Sequence, residues 1–433
     1  MYYYIRLLKN TPLEAVIQEP FKLVFSITTD LTERAYDKSC KLRCQAVVKS
    51  PSAVPGAATT NTVRTLIPQG LSQGYSLDYD PKTGYCSADI RLAPCMTSYD
   101  ECQLLLSLDP APFATNRPGT KALVELPEYD IVPAWSLPIR LKPAHLPTSK
   151  KTKHPKVKKY ADTRQDLVER HFRLPPNLAG ITEQGQSLLI REDSREGFMA
   201  RHIWDSGVFM TKYLMLSDSW LSKYMRGSQK QNAKDNLSGS EEKLGSSMST
   251  LSVSDTSPSP SASLSTTAAL SSPANPSKAP EPNKGRERVC LELGAGTGLV
   301  GIAVAVVFPE LSVLSTDLDE AIALMQENVD ANRQLLPNNN MKVGVLDWAE
   351  KDRKVDPVEI LLLADVVYND LSHEILLQTI LDYSDEKTKI LLGYKFRHEA
   401  EQKFFDRASK YFAMEVVHQQ DTMQLFVMTR KPS

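Results

Sequence analysis

A glycine-rich loop set between two apolar runs constrains the fold of this chain more than any other feature. Residues 289–308 read VCLELGAGTGLVGIAVAVVF. The stretch is about long enough to span a bilayer, but Glu292 would be costly in lipid, and four glycines divide it into a strand, a turn and a helix start. Glycines at such a turn let the backbone approach a ligand closely. The pattern predicts a soluble α/β domain with a nucleotide-like ligand at this loop, with a plain tight turn as the alternative.

Strands and helices alternate regularly from residue 286 onward. Short apolar runs predict seven strands, at residues 289–293, 312–316, 342–346, 360–364, 390–394, 414–418 and 425–428. Four helices are predicted between the first six strands, at residues 299–307, 320–332, 372–383 and 399–411. This alternation predicts a parallel, doubly wound, Rossmann-like sheet. A short polar turn at Gln420 and Asp421 joins the last two strands, so we expect the final strand to be antiparallel.

The chain divides into five segments of different composition. Residues 1–145 hold apolar runs cut by prolines and polar turns, which predicts a β-rich accessory region. Residues 146–182 are predicted to be a basic linker and a helical segment, and their run KKTKHPKVKK is either a nuclear address or a solvated linker. Residues 183–225 are predicted to form the amino-terminal shoulder of a core at 286–433. Residues 226–285, rich in Ser, Pro, Ala and Thr, are predicted to be a disordered insertion because they cannot bury enough apolar surface to offset their ordering entropy.

The charge balance and the cysteines exclude several functional classes. The 51 Lys and Arg residues nearly cancel the 52 Asp and Glu residues, which argues against a polybasic nucleic-acid or membrane binder. None of the six cysteines forms a CxxC pair, so we expect reduced thiols and no metal site. The beginning, MYYYIRLLKN, lacks the pattern of a signal peptide. These features predict a cytoplasmic location, with the nucleus as an open second location.

The glycine loop alone leaves the kind of nucleotide open. Gly296, Gly298 and Gly301 satisfy the dinucleotide fingerprint, and Asp317 follows at the spacing of a ribose-binding acid. Three further features narrow the choice. Glu292 lies in the first predicted strand with Gly294 ahead of the triplet, an Asp-Trp pair follows the third strand, and Asp-Val-Val-Tyr follows the fourth.

With these features the region resembles the class I, seven-β-strand S-adenosylmethionine-dependent methyltransferases, whose glycine loop is ExGxGxG and whose seventh strand is antiparallel. Within that class it resembles the methyltransferase-like protein-lysine methyltransferases. The resemblance covers roughly residues 183–220 and 286–433. The matching pieces are Trp204-Asp205-Ser206-Gly207, the loop at 292–298, Thr316-Asp317, Asp347-Trp348 and Ala364-Asp365-Val366-Val367-Tyr368.

The resemblance implies S-adenosylmethionine as cofactor and assigns residues to its binding. Trp204 would help close the cofactor site, and Gly294, Ala295 and Gly296 would line its methionine and ribose side. Asp317 would accept hydrogen bonds from both ribose hydroxyls, or it would instead cap the following helix. Trp348 would border the adenine, or it is a plain core tryptophan. Ala364 would leave space beside the ligand.

Asp365 and Tyr368 are the predicted catalytic residues, because ligands of open α/β sheets bind beyond the carboxyl ends of strands. Enzymes that methylate amide or adenine nitrogens commonly carry Asn/Asp-Pro-Pro-Tyr here, whereas Asp-Val-Val-Tyr matches the lysine-directed pattern. We expect Asp365 to orient the incoming amine, and the Tyr368 ring to face the methylated cation. The alternative for Asp365 is a helix cap near Ser372 or an ion pair with a nearby cation.

The predicted function is therefore methyl transfer to the side-chain amine of lysine in a protein substrate. Two alternatives remain open. One is a methyltransferase acting on nucleic acid or a small molecule, although the near-neutral charge disfavours nucleic acid. The other is a catalytically silent protein that binds the cofactor for regulation.

Overall fold

The computed structural model describes most of the chain, with gaps. Described are residues 2–9, 11–50, 62–66, 76–92, 101–108, 131–143, 165–175, 186–193, 199–228, 288–350 and 356–432. The basic run at 150–159 and the Ser/Pro-rich residues 229–285 lie outside the described residues. The chain forms two compact units, Met1–Leu216 with Arg288–Ser433, and Ser217–Glu287. In the second unit residues 220–228 are helical, and Trp220 stacks on Tyr224 with ring centroids 5.3 Å apart.

The carboxyl-terminal part of the main unit is a seven-stranded sheet with the order β16-β15-β14-β17-β18-β20-β19. The five strands from β14 to β18 pair in parallel, and β20 pairs antiparallel with both neighbours. The strands are β14 Val289–Leu293, β15 Ser312–Asp317, β16 Met341–Val345, β17 Ile360–Ala364, β18 Lys389–Lys395, β19 Phe412–Gln420 and β20 Met423–Arg430. The predicted doubly wound sheet with an antiparallel last strand is confirmed.

Five α-helices surround this sheet in the described residues. They are α1 Asp205–Leu214, α2 Leu299–Val307, α3 Asp319–Ala331, α4 His373–Asp382 and α5 Gln402–Ala408. The parallel strands are covered on both faces, so they are almost continuously apolar, as in the buried run ILLL of β17. None of the described helices is long and apolar enough to cross a membrane.

The amino-terminal part of the main unit is built from strands, as predicted for residues 1–145. One sheet has the order β7-β3-β1-β9, and a nine-stranded sheet has the order β13-β12-β10-β8-β11-β2 with β4, β5 and β6 beside it. The strands are β1 Tyr3–Lys9, β2 Glu14–Val16, β3 Phe21–Thr28, β4 Cys40–Ser50, β5 Thr62–Leu66, β6 Ser76–Tyr79, β7 Cys86–Ile90, β8 Glu101–Leu108, β9 Ile131–Val132, β10 Ala134–Ser136, β11 Ile139–Lys142, β12 Leu167–Arg173 and β13 Ser187–Asp193. Alternate side chains of these strands build one apolar core that includes Leu23, Phe25 and Leu42.

The prediction of a helical segment within residues 146–182 is wrong for Leu167–Arg173, which form strand β12. The strand buries two charges, so its sequence lacks the apolar alternation of a half-buried strand. Arg170 donates from Nε to Glu192 Oε1 at 2.7 Å, and Glu169 Oε2 accepts from the Gln103 amide at 2.8 Å. Strand β13, predicted to open the shoulder of the next domain, instead pairs with β12 along its whole length.

Asn328 of helix α3 and Asn332, the C-cap residue of that helix, bond the remaining edge of β13. Leu189 N donates to Asn332 Oδ1 at 2.9 Å and Arg191 N donates to Asn328 Oδ1 at 2.8 Å, and each side-chain amide donates back to the carbonyl of the same strand residue. Four helical residues rise about 6 Å and two strand residues about 6.8 Å, so the spacings match. Asn328 also donates to Thr297 O at 2.9 Å. The amino-terminal sheet is thereby joined to the glycine loop.

Candidate functional site

A cavity of about 810 Å³ opens at the carboxyl ends of the parallel strands β14, β15 and β17. Its volume lies within the range of about 300 to 1,000 Å³ that is typical of small-molecule sites. All nine site residues predicted from the sequence line it: Trp204, Gly294, Ala295, Gly296, Asp317, Trp348, Ala364, Asp365 and Tyr368. The structure therefore brings them together in one space, while their individual roles stay predictions.

The glycine loop follows β14, and two of its glycines line the cavity at positions that require glycine. Gly294 and Gly296 have φ values of 66° and 55°. A Cβ at Gly294 would lie 2.7 Å from the Val366 side chain and 3.1 Å from Trp348, and one at Gly296 would lie 3.1 Å from the Ala200 carbonyl. The positive φ values and these close contacts leave room only for backbone. The loop backbone therefore faces the cavity without side chains in the way.

Asp317 ends β15 beside this loop. Its Oδ2 accepts from Gly296 N and its Oδ1 from Leu318 N, both at 2.7 Å. Burial raises the pKa of the carboxyl, against the lowering effect of these two N–H groups. Helix α3 has Leu318 at its N-cap and no side-chain cap bond, so the helix-cap alternative for Asp317 is not what the structure contains. Two carboxylate oxygens offer about four acceptor sites, so capacity for ribose hydroxyls remains.

Glu292 lies under the loop in β14 and is buried. Its carboxyl accepts hydrogen bonds from Ser315 Oγ and from the Gly301 N–H. Burial raises the pKa of Glu292 to about 7. The Glu292 side chain therefore links strand β14 to strand β15 and to the start of helix α2. It is largely uncharged below neutral pH.

The two predicted tryptophans both line the cavity. Trp204 is the N-cap residue of α1, and its indole N–H donates to Met199 O at 3.1 Å. Trp348 packs partly buried against the core cluster of the sheet and also borders Gly294. Both interpretations of Trp348, a core residue and a cavity wall, therefore describe the same side chain.

Asp365 has a φ of 61°, and its carboxylate is held by a cation. Arg397 clamps it with its two terminal nitrogens, Nη1 and Nη2, and Nη2 lies 2.7 Å from Oδ2. This ion pair is one of the two alternatives that the sequence left open. The other, a helix cap, is not formed, because the N-cap residue of α4 is Ser372 and that helix has no side-chain cap bond. Whether Asp365 also orients a substrate amine stays a prediction.

Tyr368 stands at the same edge of the cavity, with 52% of its surface exposed. Burial of its hydroxyl, and after it Asp317, raises the pKa of Tyr368 above its ordinary value. The phenol therefore stays protonated at neutral pH, and its ring is accessible from solvent.

A buried charge cluster extends behind Asp365. It was not predicted from the sequence. Lys395 Nζ donates to Asp30 Oδ1 and to Asp205 Oδ2, both at 2.8 Å. Arg397 Nη2 lies 3.1 Å from Asp30 Oδ2, and the Tyr4 hydroxyl donates to Asp205 Oδ1 at 2.9 Å. Lys395 ends the buried strand β18 next to β17, and Arg397 follows two residues later. That position was the available signal, because carboxyl ends of parallel strands share one edge. Nothing local marked Asp30, which comes from the amino-terminal region.

Acidic side chains outnumber basic ones among the described residues that line the cavity. The basic groups that line it are Arg397, which is already paired, and two histidines, His202 and His398. The acidic ones are Glu33, Asp317, Glu320, Asp347 and Glu401, besides Asp365, which is paired with Arg397, and Glu292, which is largely uncharged below neutral pH. Clefts with walls of one sign concentrate ions of the opposite sign. The arrangement suits a cationic ligand.

The strand order, the antiparallel last strand and the glycine loop at the end of β14 define a class I methyltransferase domain. Solved structures are similar over a part of this fold. One is described as "PigF with SAH" (TM-score 0.29, 13% identity, 34% of this chain and 51% of that chain). Another is the S-adenosylmethionine-dependent methyltransferase SibL (TM-score 0.28, 13% identity, 34% and 51%). The fold assignment itself follows from the topology.

Sequence comparison finds a family and several proteins that are similar to part of this chain. Residues 261–411 match a family model described as lysine methyltransferase. EEF1A lysine methyltransferase 3 of Xenopus tropicalis is 34% identical over 32% of this chain and 63% of its own length. Protein N-lysine methyltransferase METTL21A of Mus musculus is 34% identical over 30% and 59%. The chain thus spans about three fifths of these relatives. A UPF0665 family protein of Schizosaccharomyces pombe is 24% identical over 99% of both chains.

Proposed function

We propose that the protein is an S-adenosylmethionine-dependent methyltransferase that acts on the side-chain amine of lysine in a protein substrate. The observation that carries the proposal is the cavity, in which the glycine loop, the Asp317 carboxylate and an acidic wall meet. The lysine methyltransferase family match and the names of the relatives support the same activity. The free cysteines Cys44 and Cys290, both buried, support a reducing compartment such as the cytoplasm.

The residues of the cavity fit the cofactor. Gly294 and Gly296 line the cavity without side chains, and Asp317 keeps acceptor capacity at the strand end. We assign Trp348 to an aromatic wall of the adenine site and Trp204 to closing the cofactor site. When bound, S-adenosylmethionine supplies an electrophilic methyl group on a positively charged sulfur.

The acidic wall attracts a lysine side chain, but attack on a methyl group requires the uncharged amine. A free lysine has a pKa of about 10.4, so roughly one in a thousand is neutral near pH 7. An isolated carboxylate would stabilise the ammonium further. Because Arg397 already neutralises Asp365, this carboxylate accepts a hydrogen bond from the amine while holding its proton less strongly. We therefore propose that Asp365 orients the amine and that the exposed Tyr368 ring packs against the methylated product cation.

The test is methyl transfer by the purified full-length protein. It is incubated with labelled S-adenosylmethionine and extract from cells that lack it, and labelled proteins are digested and analysed by mass spectrometry. We expect label on lysine side chains of a protein. Asp365→Ala is the matched control, because Arg397 keeps Asp30 as a partner. It should bind S-adenosylmethionine within a few fold of wild type and transfer about a hundredfold more slowly.

Two results would overturn the proposal. Label in RNA or in small metabolites, resistant to protease treatment, would indicate another substrate class. Cofactor binding without transfer to any component of the extract would indicate a silent regulatory protein. Normal turnover by folded Asp365→Ala would remove only the assignment of Asp365.

A further inference from the structure

The loop that follows β3 brings the amino-terminal region to the cavity. Leu31 and Glu33 of this loop line the same space as the glycine loop and Asp365. Asp30 precedes them, and its side chain is 1% exposed. A region whose sequence showed no link to the chemistry therefore supplies part of the wall.

Asp30 lies one side chain away from Asp365. Its Oδ2 accepts from Arg397 Nη2 at 3.1 Å, and the same guanidinium clamps both carboxylate oxygens of Asp365. Its Oδ1 accepts from Lys395 Nζ at 2.8 Å. Arg397 is thus fixed from two sides, by Asp365 at the cavity and by Asp30 behind it.

The protein holds Asp30 firmly in this position. Its backbone carbonyl accepts from Arg6 Nη2 at 2.8 Å, and its Oδ1 also accepts from Leu31 N at 3.0 Å. The loop is closed by Thr29 N, which donates to Arg34 O at 3.0 Å. Burial by itself raises the pKa of Asp30, but Lys395 and then Arg397 lower it below its ordinary value, so the carboxylate stays charged at neutral pH.

We propose that Asp30 is a positioning residue for methyl transfer, acting through Arg397 on Asp365. The inference rests on the proposed function and deepens it, since the amino-terminal region then completes the active site. Without the Asp30 charge, Lys395 keeps Asp205 and Arg397 keeps Asp365, so each buried cation retains one carboxylate. We therefore expect a protein without the Asp30 charge to fold. Arg397 loses its rear anchor, however, and a shift of about 1 Å at the reacting centre costs roughly a hundredfold in rate.

The first experiment compares full-length wild type, Asp30→Asn and a control, Thr11→Val. Thr11 donates to Gln165 in a buried hydrogen bond of the amino-terminal region and does not line the cavity. We expect Asp30→Asn to lower kcat by about ten- to a hundredfold, with KM for S-adenosylmethionine changed less than about threefold. Thr11→Val should lower the melting temperature by a similar amount and keep the kcat of wild type.

A double-mutant cycle identifies the route of the effect. In an Arg397→Gln background, Asp30→Asn should lower kcat no further, because the arginine through which Asp30 acts is already absent. An equal loss in both backgrounds would overturn the proposal, as would wild-type kcat in folded Asp30→Asn. If Asp30→Asn does not fold, Arg397→Lys breaks the same link between Asp30 and Asp365. A single ammonium group cannot bond both carboxylates as the planar guanidinium group does. Full kcat in that variant would then overturn it.

The outcome also separates the two proposals. If the wild type itself transfers no methyl group to protein, the proposed function and this inference both fall. If the wild type is active and Asp30→Asn matches it, only the positioning role falls.

Discussion

Two buried glutamates show how differently the two regions of the main unit handle charge. Glu192 lies in β13 of the amino-terminal sheet, and Glu292 lies in β14 of the parallel sheet. Burial favours the uncharged form of both carboxyls. At Glu192 the Arg170 guanidinium, followed by Arg6, outweighs burial, so the pKa of Glu192 lies below its ordinary value. At Glu292 only hydrogen bonds oppose burial, and the pKa rises to about 7. The amino-terminal sheet therefore contains a paired charge, and the parallel sheet contains an acid that is largely uncharged below neutral pH.

The difference follows from what each region has to bury. Parallel strands are covered on both faces by helices, so charges are tolerated mainly at the strand ends, where the cavity lies. Strand β13, which pairs with β12, instead packs against helix α3, and Asn328 of that helix bonds the glycine loop. A buried ion pair there contributes little net stability compared with apolar packing, but it makes each partner depend on the other.

Breaking the ion pair is the largest expected effect. Arg170→Met leaves Glu192 buried without its guanidinium and strips hydrogen bonds from the carbonyls of Ile5 and Pro133, so we expect a loss of about 3 to 5 kcal/mol in the free energy of unfolding. The double variant Arg170→Met/Glu192→Leu removes both charges and should recover part of this. Urea unfolding measures both. A loss below about 1 kcal/mol in the single variant would contradict the contrast drawn between the two sheets.

The pH dependence of stability should differ in sign between the two glutamates. Between its unfolded-state value of 4.5 and about 7, Glu292 carries a proton in the folded protein and none in the unfolded chain. Its contribution to the free energy of unfolding therefore falls as pH rises, by about 1.4 kcal/mol per pH unit and about 3 kcal/mol in total. Glu192, with a lowered pKa, contributes stability above pH 4.5 and loses it as pH falls further.

The measurement is urea unfolding of wild type, Glu292→Gln and Glu192→Gln from pH 3 to pH 8. The difference between wild type and Glu292→Gln should shrink from pH 4.5 to 7 and then level off. The difference between wild type and Glu192→Gln should stay level over that range and shrink only on further acidification. Parallel curves for the two variants would show that both carboxyls have the same charge state.

Asp317, at the end of β15, should contribute more to ligand binding than to the stability of the fold. Asp317→Ala removes acceptors at the edge of the cavity, so we expect S-adenosylmethionine affinity to fall by about 1.5 to 3 kcal/mol, or about ten- to a hundredfold. Calorimetric titration checks this, with thermal unfolding of the free protein as control. Unchanged affinity together with a lowered melting temperature would assign Asp317 to holding the glycine loop alone.

The smallest effect is expected from the Ser/Pro-rich tract between the two regions. Replacement of residues 229–284 by a flexible Gly/Ser linker of about twenty residues should leave turnover near normal, because loop-closure entropy changes slowly with length. Methyl transfer and S-adenosylmethionine affinity are measured on the full-length and shortened proteins. A folded, shortened protein with much lower turnover would mean that the tract takes part in catalysis or substrate binding.

The parallel sheet and the cavity around its edge were predictable in detail. Each strand from β14 to β20 overlaps its predicted range, because uninterrupted apolar runs separated by amphipathic helices fit few other folds. The predicted site residues other than Trp204 converge for the same reason, since each ends or follows a strand whose carboxyl end points to one edge.

Strand β12 and the Asp365 ion pair were not predictable in this way. In Leu167–Arg173 the residues that face the interior include Glu169 and Arg170, and a buried charge has no local signature until its partner is known. Asp365 was expected to face a substrate amine, and the pairing with Arg397 was only one of its alternatives. The partner lies 32 residues away in sequence and reaches it only through the pairing of β17 with β18.

The sequence by itself determined the class of the carboxyl-terminal fold, the position of the glycine loop and the set of side chains at the sheet edge. These depend on periodicity, glycine backbone freedom and strand direction, all of which are local properties. Only the tertiary structure decided that Asp30, 367 residues from Arg397, stands behind the catalytic edge. An ion pair between distant segments forms wherever packing brings them together and buries them, and that depends on the assembled fold.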